Sequence, residues 1–284
     1  MKKKILIFGV SGMLGHNLFT NFCLQKKFEV FGTCRNYRKK KIFNNFEKKK
    51  IFFLQSIFES KKIEMLIKKT QPDIVINCIG VIKQSKKIQN LSEATYINSV
   101  FPHLLSSYAY LYKFKLIHFS TDCVFDGKRG SYTEKHTPNS IDFYGVSKTL
   151  GELDNKFSIT IRTSIVGREK FNKKSLFEWF LKQNKSVKGY SKAIFSGLPT
   201  QEISNFLIDL IKNDKLQKLS GILNLASKPI NKYELLNLFK TKLSKKIIIY
   251  KNSTVRINRS LNPDKLKKLI KYKPKNWKEL INII

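Results

Sequence analysis

A chain of 284 residues is long enough for one large α/β domain, or for a main domain with a smaller appendage. Its formal charge of +35 suggests nucleic acid at first sight, but the excess is scattered Lys beside abundant Asn, Ile and Phe, all encoded by A/T-rich codons, and Arg numbers only seven. Genome composition therefore accounts for the charge, no specific nucleic-acid partner is expected, and what remains is a positive field that favours anionic ligands such as nucleotides.

The apolar run Ile5-Leu6-Ile7-Phe8 ends in Gly9-Val10-Ser11-Gly12-Met13-Leu14-Gly15, and a helical pattern over His16–Gln25 follows. Three glycines spaced three apart between a strand and a helix suit a pyrophosphate, because the helix start offers free N–H groups and glycine lets the backbone come close. Further strands are predicted at Glu29–Thr33, Ile51–Leu54, Asp73–Cys78, Leu116–Ser120 and Ser158–Arg162. Helices are predicted at Lys61–Lys69, Ser92–Tyr112 and Phe143–Asn155. Strands alternating with helices imply right-handed crossovers and a Rossmann-like, doubly wound parallel sheet. Ligands on such sheets lie outside the strand C-terminal ends, which gathers Gly9, Thr33, Cys78-Ile79-Gly80, Ser120-Thr121-Asp122 and Arg162-Thr163 at one crevice.

After Gly167 the pattern shortens: helices at Ser175–Gln183, Gln201–Asn213 and Lys232–Leu243, strands at Gly221–Ala226 and Lys246–Tyr250. We read residues 1–166 as a dinucleotide-binding domain and 167–284 as mainly a smaller C-terminal substrate-binding lobe, with segments near 195–227 returning to the main sheet. Cys23, Cys34, Cys78 and Cys123 are dispersed without a CxxC pair, which favours a reduced chain over a disulfide scaffold or a zinc site. His16, His103 and His136 form no ligand pattern, so no metal is expected. No apolar run reaches membrane-spanning length, and a first strand beginning at Lys4 or Ile5 leaves no room for a signal peptide. A cytoplasmic location is the resulting expectation.

Tyr144 and Lys148 stand four apart on a predicted helix and so share a face. An ammonium near a phenol lowers the Tyr pKa, which makes Tyr a usable acid/base group; the alternative is a solvated helix pair. Ser120 and Thr121 end a buried strand at the ligand edge, where a hydroxyl serves either as a hydrogen-bond donor to a substrate carbonyl or as a strand-end cap. His118 alternates with core residues and reads as structural.

The succession of Gly-x-x-Gly-x-x-Gly, Ser-Thr-Asp and Tyr-x-x-x-Lys resembles the extended short-chain dehydrogenases/reductases. More narrowly, residues 120–127 (STDCVFDG), Tyr132-Thr133-Glu134, Tyr144 to Glu152, residues 162–167 (RTSIVG) and Arg259-Ser260-Leu261-Asn262 resemble the dTDP-4-dehydrorhamnose reductase family. The resemblance implies that Tyr144 protonates a sugar keto oxygen, that Lys148 binds the nicotinamide ribose and tunes Tyr144, and that Thr121, rather than Ser120, hydrogen-bonds the same oxygen. It places Gly9, Ser11, Gly12, Met13, Leu14 and Gly15 on the cofactor, with Cys78, Ile79 and Gly80 beside its adenosine half. Asn98 matches a helix Asn near the active Lys, or is a buried amide satisfied by backbone.

No carboxylate follows the second strand, where NAD-users tend to hold the ribose 2′-hydroxyl. Arg35 offers a planar fork for a 2′-phosphate, unless Arg35 and Arg38 are simply loop charges. NADPH is therefore expected, with NADH as the alternative. Gln55-Ser56 stand where many relatives carry an Asp near the adenine. Lys83, Phe195, Arg256 and Arg259 are candidates for the substrate, with solvated loop charge as the alternative for the arginines. The activity implied is reduction of a nucleotide-linked 4-keto-6-deoxy sugar for surface polysaccharide synthesis. Reduction of a UDP-linked N-acetylated 4-keto sugar, nucleotide-sugar epimerisation, or a non-catalytic role like that of a regulatory subunit of methionine adenosyltransferase are the alternatives. The partner expected is a nucleotide sugar; a homodimer is left open.

Overall fold

A computed structural model describes residues 1–171 and 173–284. In chain order the first half runs β1 (Lys3–Phe8), α1 (Met13–Cys23), β2 (Phe28–Cys34), α2 (Asn45–Lys49), β3 (Ile51–Phe53), α3 (Ser60–Thr70), β4 (Ile74–Asn77), α4 (Leu91–Thr95), α5 (Phe101–Tyr112), β5 (Lys115–Thr121), α6 (Phe143–Leu150) and β6 (Ser158–Thr163). The second half adds β7 (Ile165–Val166), α7 (Leu176–Leu181), β8 (Ser186–Phe195), β9 (Leu198–Pro199), α8 (Thr200–Lys212), β10 (Gly221–Asn224), β11 (Ile230–Asn231), α9 (Lys232–Lys242), β12 (Ile248–Asn258), α10 (Asp264–Ile270) and α11 (Trp277–Leu280).

Seven strands form one sheet in the order β10-β6-β5-β4-β1-β2-β3, and every pairing in it is parallel. This is the doubly wound sheet that the alternation of strands and helices predicts. Its cause is visible in β1, where Ile5 and Ile7 enter one apolar cluster and Leu6 and Phe8 the other. A strand with both faces buried reads as an unbroken apolar run. Strand order reverses between β1 and β4, which places the crevice above Gly9.

The predicted helix over Ser92–Tyr112 is one rod interrupted by a π-helical turn, Tyr96–Val100. The predicted helix from Phe143 stops at Leu150 rather than Asn155. A Cβ at Gly151 would lie 1.9 Å from the Asn98 carbonyl oxygen, so the chain here packs on the π turn and then drops inward to Glu152. Strand β8 was not expected. Its inward positions are Val187, Gly189, Ala193 and Phe195, too small in the middle to produce a visible apolar alternation. β12 is longer than the predicted Lys246–Tyr250 and mostly exposed, so its polar half carried no strand signal. β12 and β11 flank β8 in a three-stranded sheet, parallel and antiparallel respectively.

Between β9 and β11 the chain rejoins the main sheet. β10 pairs with β6, and on α8 the Gln201 Oε1 accepts from Asn17 and Asn21 of α1 at 3.1 and 3.0 Å.

Candidate active site

The glycine turn has an explicit geometry. Gly9 sits at φ +84°, and its N–H donates to the Thr33 hydroxyl at 3.2 Å. A Cβ at Gly15 would stand 2.3 Å from the Gly9 carbonyl oxygen, so Gly15 exists to let α1 approach β1. Gly12 is different: its nearest neighbour to an added Cβ is 3.4 Å away, an ordinary contact within the same turn. Protein packing does not require a glycine there. Gly12 is the N-cap of α1, no side chain caps the helix, and its first turn holds no acidic residue. An uncapped helix start beneath a position free of side chain fits a pyrophosphate. Gly80 is likewise open, with only Asn98 Oδ1 at 3.5 Å. Ser11 and Met13 are half-buried on this turn and Leu14 is buried beneath it. Cys78 and Ile79 lie against the glycines: the Ile79 side chain stands 2.9 Å from an added Gly9 Cβ, and Cys78 Cβ 3.2 Å from one at Gly15. At the far end, Arg35, Asn36, Arg38, Phe53 and Gln55 line an open cleft of about 600 Å³.

Tyr144 reaches the crevice because α6 packs unusually close. A Cβ at Gly145 would meet Ser140 Oγ at 2.2 Å and the Cys123 carbonyl oxygen at 2.4 Å. Asp142 caps the helix through Oδ1, which accepts from Gly145 N at 3.0 Å. Lys83 Nζ is bound to the same Asp142 at 3.1 Å, a partly exposed ion pair at the site's edge. The phenol of Tyr144 feels the nearby Thr121 hydroxyl. Thr121 also donates to Asp122 Oδ1 at 3.3 Å and accepts from Cys123 N at 3.1 Å. Ser120, by contrast, spends its hydroxyl on Glu152 at 2.7 Å. Glu152 in turn forms a buried double contact with Arg162, 2.7 Å to Nε and 2.6 Å to Nη2.

Two expectations need correction. The phenol of Tyr144 is raised, not lowered: burial and the nearby Cys123 dominate, and the Thr121 hydrogen bond pulls back only in part. Lys148 does not offset this, because its ammonium donates to the Phe119 carbonyl at 2.6 Å and lies 3.5 Å from His118 Nε2. Burial lowers Lys148 to about 8, with Glu152 pulling the other way. Asn98 is fully buried. Its Oδ1 accepts from Val81 N at 2.9 Å, and its Nδ2 donates to Val81 O at 3.1 Å and Ser147 Oγ at 3.0 Å. With both amide hydrogens committed, it ties the β4 loop to α6 and positions the site rather than contacting a ligand.

The substrate-side candidates separate. Arg259 is brought in: Nε donates to Phe125 O at 2.8 Å and Nη1 lies 3.5 Å from Cys123 Sγ. Arg256 lies exposed on β12, paired in register with Lys192, away from these contacts. Phe195 is a core residue, 5% exposed, packed 5.6 Å from the Trp277 ring. The ammonium of Lys232 covers it, 3.8 Å from the ring centroid. Sequence reasoning missed Lys232, since one Lys at an ordinary helix start carries no signal in so Lys-rich a chain.

A family model for the RmlD substrate binding domain matches residues 2–282. The chain belongs to the RmlD family. Among curated relatives, methionine adenosyltransferase 2 subunit beta of Rattus norvegicus is 26% identical over 150 residues. That match spans 53% of this chain and 42% of the relative, so the chain spans less than half the length of that curated relative. A hypothetical dTDP-4-dehydrorhamnose reductase from Sulfolobus tokodaii is 25% identical, with a TM-score of 0.77 over 97% of both chains. The dTDP-4-dehydrorhamnose reductase of Bacillus anthracis, solved in complex with NADP, has a TM-score of 0.81 at 21% identity, over 100% of this chain and 98% of that one. Among the described residues, no helix is long and apolar enough to cross a membrane.

Proposed function

We propose that this chain is an NADPH-dependent reductase of a nucleotide-linked 4-keto-6-deoxy sugar, serving surface polysaccharide synthesis. The observation that carries this reading is that Tyr144, on the helix with Lys148 one turn along, feels the hydroxyl of Thr121 at the C-terminal end of β5. Bound NADPH would supply the hydride. The residues of the chain do the rest. Thr121 turns its one hydroxyl hydrogen from Asp122 to the keto oxygen and holds that oxygen against Tyr144. Tyr144 gives that oxygen its proton, and its raised pKa keeps the phenol protonated at neutral pH, the state a donor needs. Lys148, lowered to about 8, is still mostly charged at neutral pH, and with its ammonium held by the Phe119 carbonyl its part is to bind the nicotinamide ribose. The Arg35 cleft supports NADPH over NADH, because two guanidinium groups and no carboxylate line it. The Sulfolobus and Bacillus proteins support the sugar class.

The test is a spectrophotometric panel of dTDP- and UDP-linked 4-keto sugars with NADPH and with NADH. Oxidation of NADPH only when a keto sugar is present is the expected result; folded protein inert to the whole panel refutes the reading. Tyr144→Phe should lose about 10²–10⁴-fold in turnover while its NADPH dissociation constant, read by fluorescence titration, stays unchanged. The likeness to methionine adenosyltransferase 2 subunit beta keeps one second reading, a non-catalytic subunit, which predicts NADPH binding without sugar turnover.

A further inference from the structure

Behind Lys148 runs a chain of hydrogen bonds that the reaction above does not use. Asn77 ends β4 and stands in register beside His118 of β5; both side chains are buried, and so is Lys148. The backbone N–H of Ile79 donates to Asn77 Oδ1 at 3.0 Å. A backbone N–H can only donate, so this bond fixes which end of the amide is the oxygen. Asn77 Nδ2 therefore faces His118 Nδ1, 3.2 Å away, and it too can only donate. His118 Nδ1 must accept. Burial keeps the imidazole neutral, so its single proton lies on Nε2.

That nitrogen faces Lys148 Nζ at 3.5 Å. An ammonium has three donors and no acceptor. While Lys148 is charged, the two nitrogens are donor against donor, and the ammonium bonds instead to the Phe119 carbonyl at 2.6 Å. Once Lys148 loses a proton, its nitrogen carries a lone pair, and the same contact becomes a hydrogen bond from His118 Nε2–H. The ring is matched to the amine and mismatched to the ammonium. The opposite tautomer would reverse this, and Asn77 excludes it. Other ionisable groups bear on the pair from two sides: Glu152, just after α6, favours the ammonium, and His103 of α5 acts on the ring. Tyr144 stands one turn along α6.

We propose that His118 is a positioning residue that acts through Lys148: locked by Asn77 with its proton on Nε2, it offers a hydrogen bond to the neutral amine of Lys148 and so lowers the pH at which Lys148 gives up the charge that holds the nicotinamide ribose. The inference rests on the cofactor half of the reductase reading and deepens it. Cofactor affinity becomes a function of pH through a fully buried ring. Burial acts in the same direction and draws Lys148 down to about 8.

Two measurements test this. The first is a long-range proton–nitrogen NMR spectrum of the histidine rings, of which the chain has four, recorded between about pH 6 and pH 10. Wild type should show His118 neutral with its proton on Nε2 throughout. Its Nε2 signal should titrate with a midpoint of about 8, and Lys148→Met should abolish that titration. A proton on Nδ1, or an Nε2 signal that ignores Lys148, overturns the inference whether or not any His118 variant folds. The second is the NADPH dissociation constant over the same range. Wild-type affinity should fall as pH passes about 8, and Lys148→Met should show no such fall. His118→Met, which keeps bulk and removes the donor, should move the midpoint up by about one pH unit. His118→Gln, whose amide offers an N–H near the place of Nε2, should return most of the shift. An unmoved midpoint in His118→Met protein that melts cooperatively makes His118 a core filler, and the inference falls with the reductase reading intact. The expected NADPH curves without turnover of any keto sugar remove the reductase reading and leave the inference standing. Wild type that binds no NADPH removes both.

Discussion

Lys148 is the residue where burial has the clearest measurable consequence. A drop from the ordinary 10.5 to about 8 corresponds to about 3 kcal/mol against the charged form. Unfolding returns the side chain to water and to its ordinary value. Between about pH 8 and pH 10.5 the unfolded chain therefore binds more protons than the folded one, and stability rises with pH through that window. Below pH 8 the penalty is present in full. Lys148→Met should accordingly raise the melting temperature of the cofactor-free protein at pH 7, and the advantage should shrink as pH climbs past 8 towards 10.5. A variant less stable than wild type at pH 7 would mean that the hydrogen bond to Phe119 outweighs the burial. Tyr144 and Lys148 stand out as candidates because helical spacing puts them on one face, and Thr121 was set apart from Ser120 only by the family resemblance. Their electrostatics were not legible. Helical spacing places the ammonium near the phenol, but only the carbonyl of Phe119 reveals that it is held elsewhere.

The glycine turn and α1 act as one element, and two of its glycines serve opposite ends. Gly15→Ala drives a methyl into the Gly9 carbonyl and should cost about 1–3 kcal/mol, more than the better helix propensity of Ala returns. Gly12→Ala meets nothing closer than 3.4 Å and should stay within about 1 kcal/mol of wild type. Its NADPH affinity should nevertheless fall more than about tenfold, because the methyl stands where a pyrophosphate would approach the helix start. Melting curves and fluorescence titrations on the two variants check both halves of the contrast. Equal loss of stability would show that Gly12 is a packing glycine too. This turn was readable in the sequence because strand, glycine spacing and helix coincide within residues 5–25. The π turn at Tyr96–Val100 was not. It arises from the need to bury Asn98 between the β4 loop and Ser147, a tertiary demand that leaves no periodic trace. Strand β8 was hidden for a different reason, since Gly189 and Ala193 fill inward positions because α9 and β12 crowd it.

For the whole molecule, +35 charges on 284 residues repel one another in any compact state. Screening shortens to about 8 Å at physiological ionic strength, so the melting temperature should rise as sodium chloride is added to a low-salt buffer. Any attraction to DNA should fade over the same range. A melting temperature that falls with salt would mean that the ion pairs outweigh the repulsion. The fold class was plain from the alternation of strands and helices. What the alternation could not convey is the path of the second half, because short, Lys-rich elements look alike whether they join the main sheet or leave it.

That path limits how the smaller sheet can be exchanged between relatives. The segment carrying β8 and the segment carrying α9 and β12 are separated by α8 and β10, which belong to the large sheet. Exchanging the three-stranded sheet of β8, β11 and β12 between relatives would take two coordinated grafts with four matched seams. Single substitutions offer a shorter road, and diversification in this architecture is expected to proceed by point changes rather than by recombination of modules.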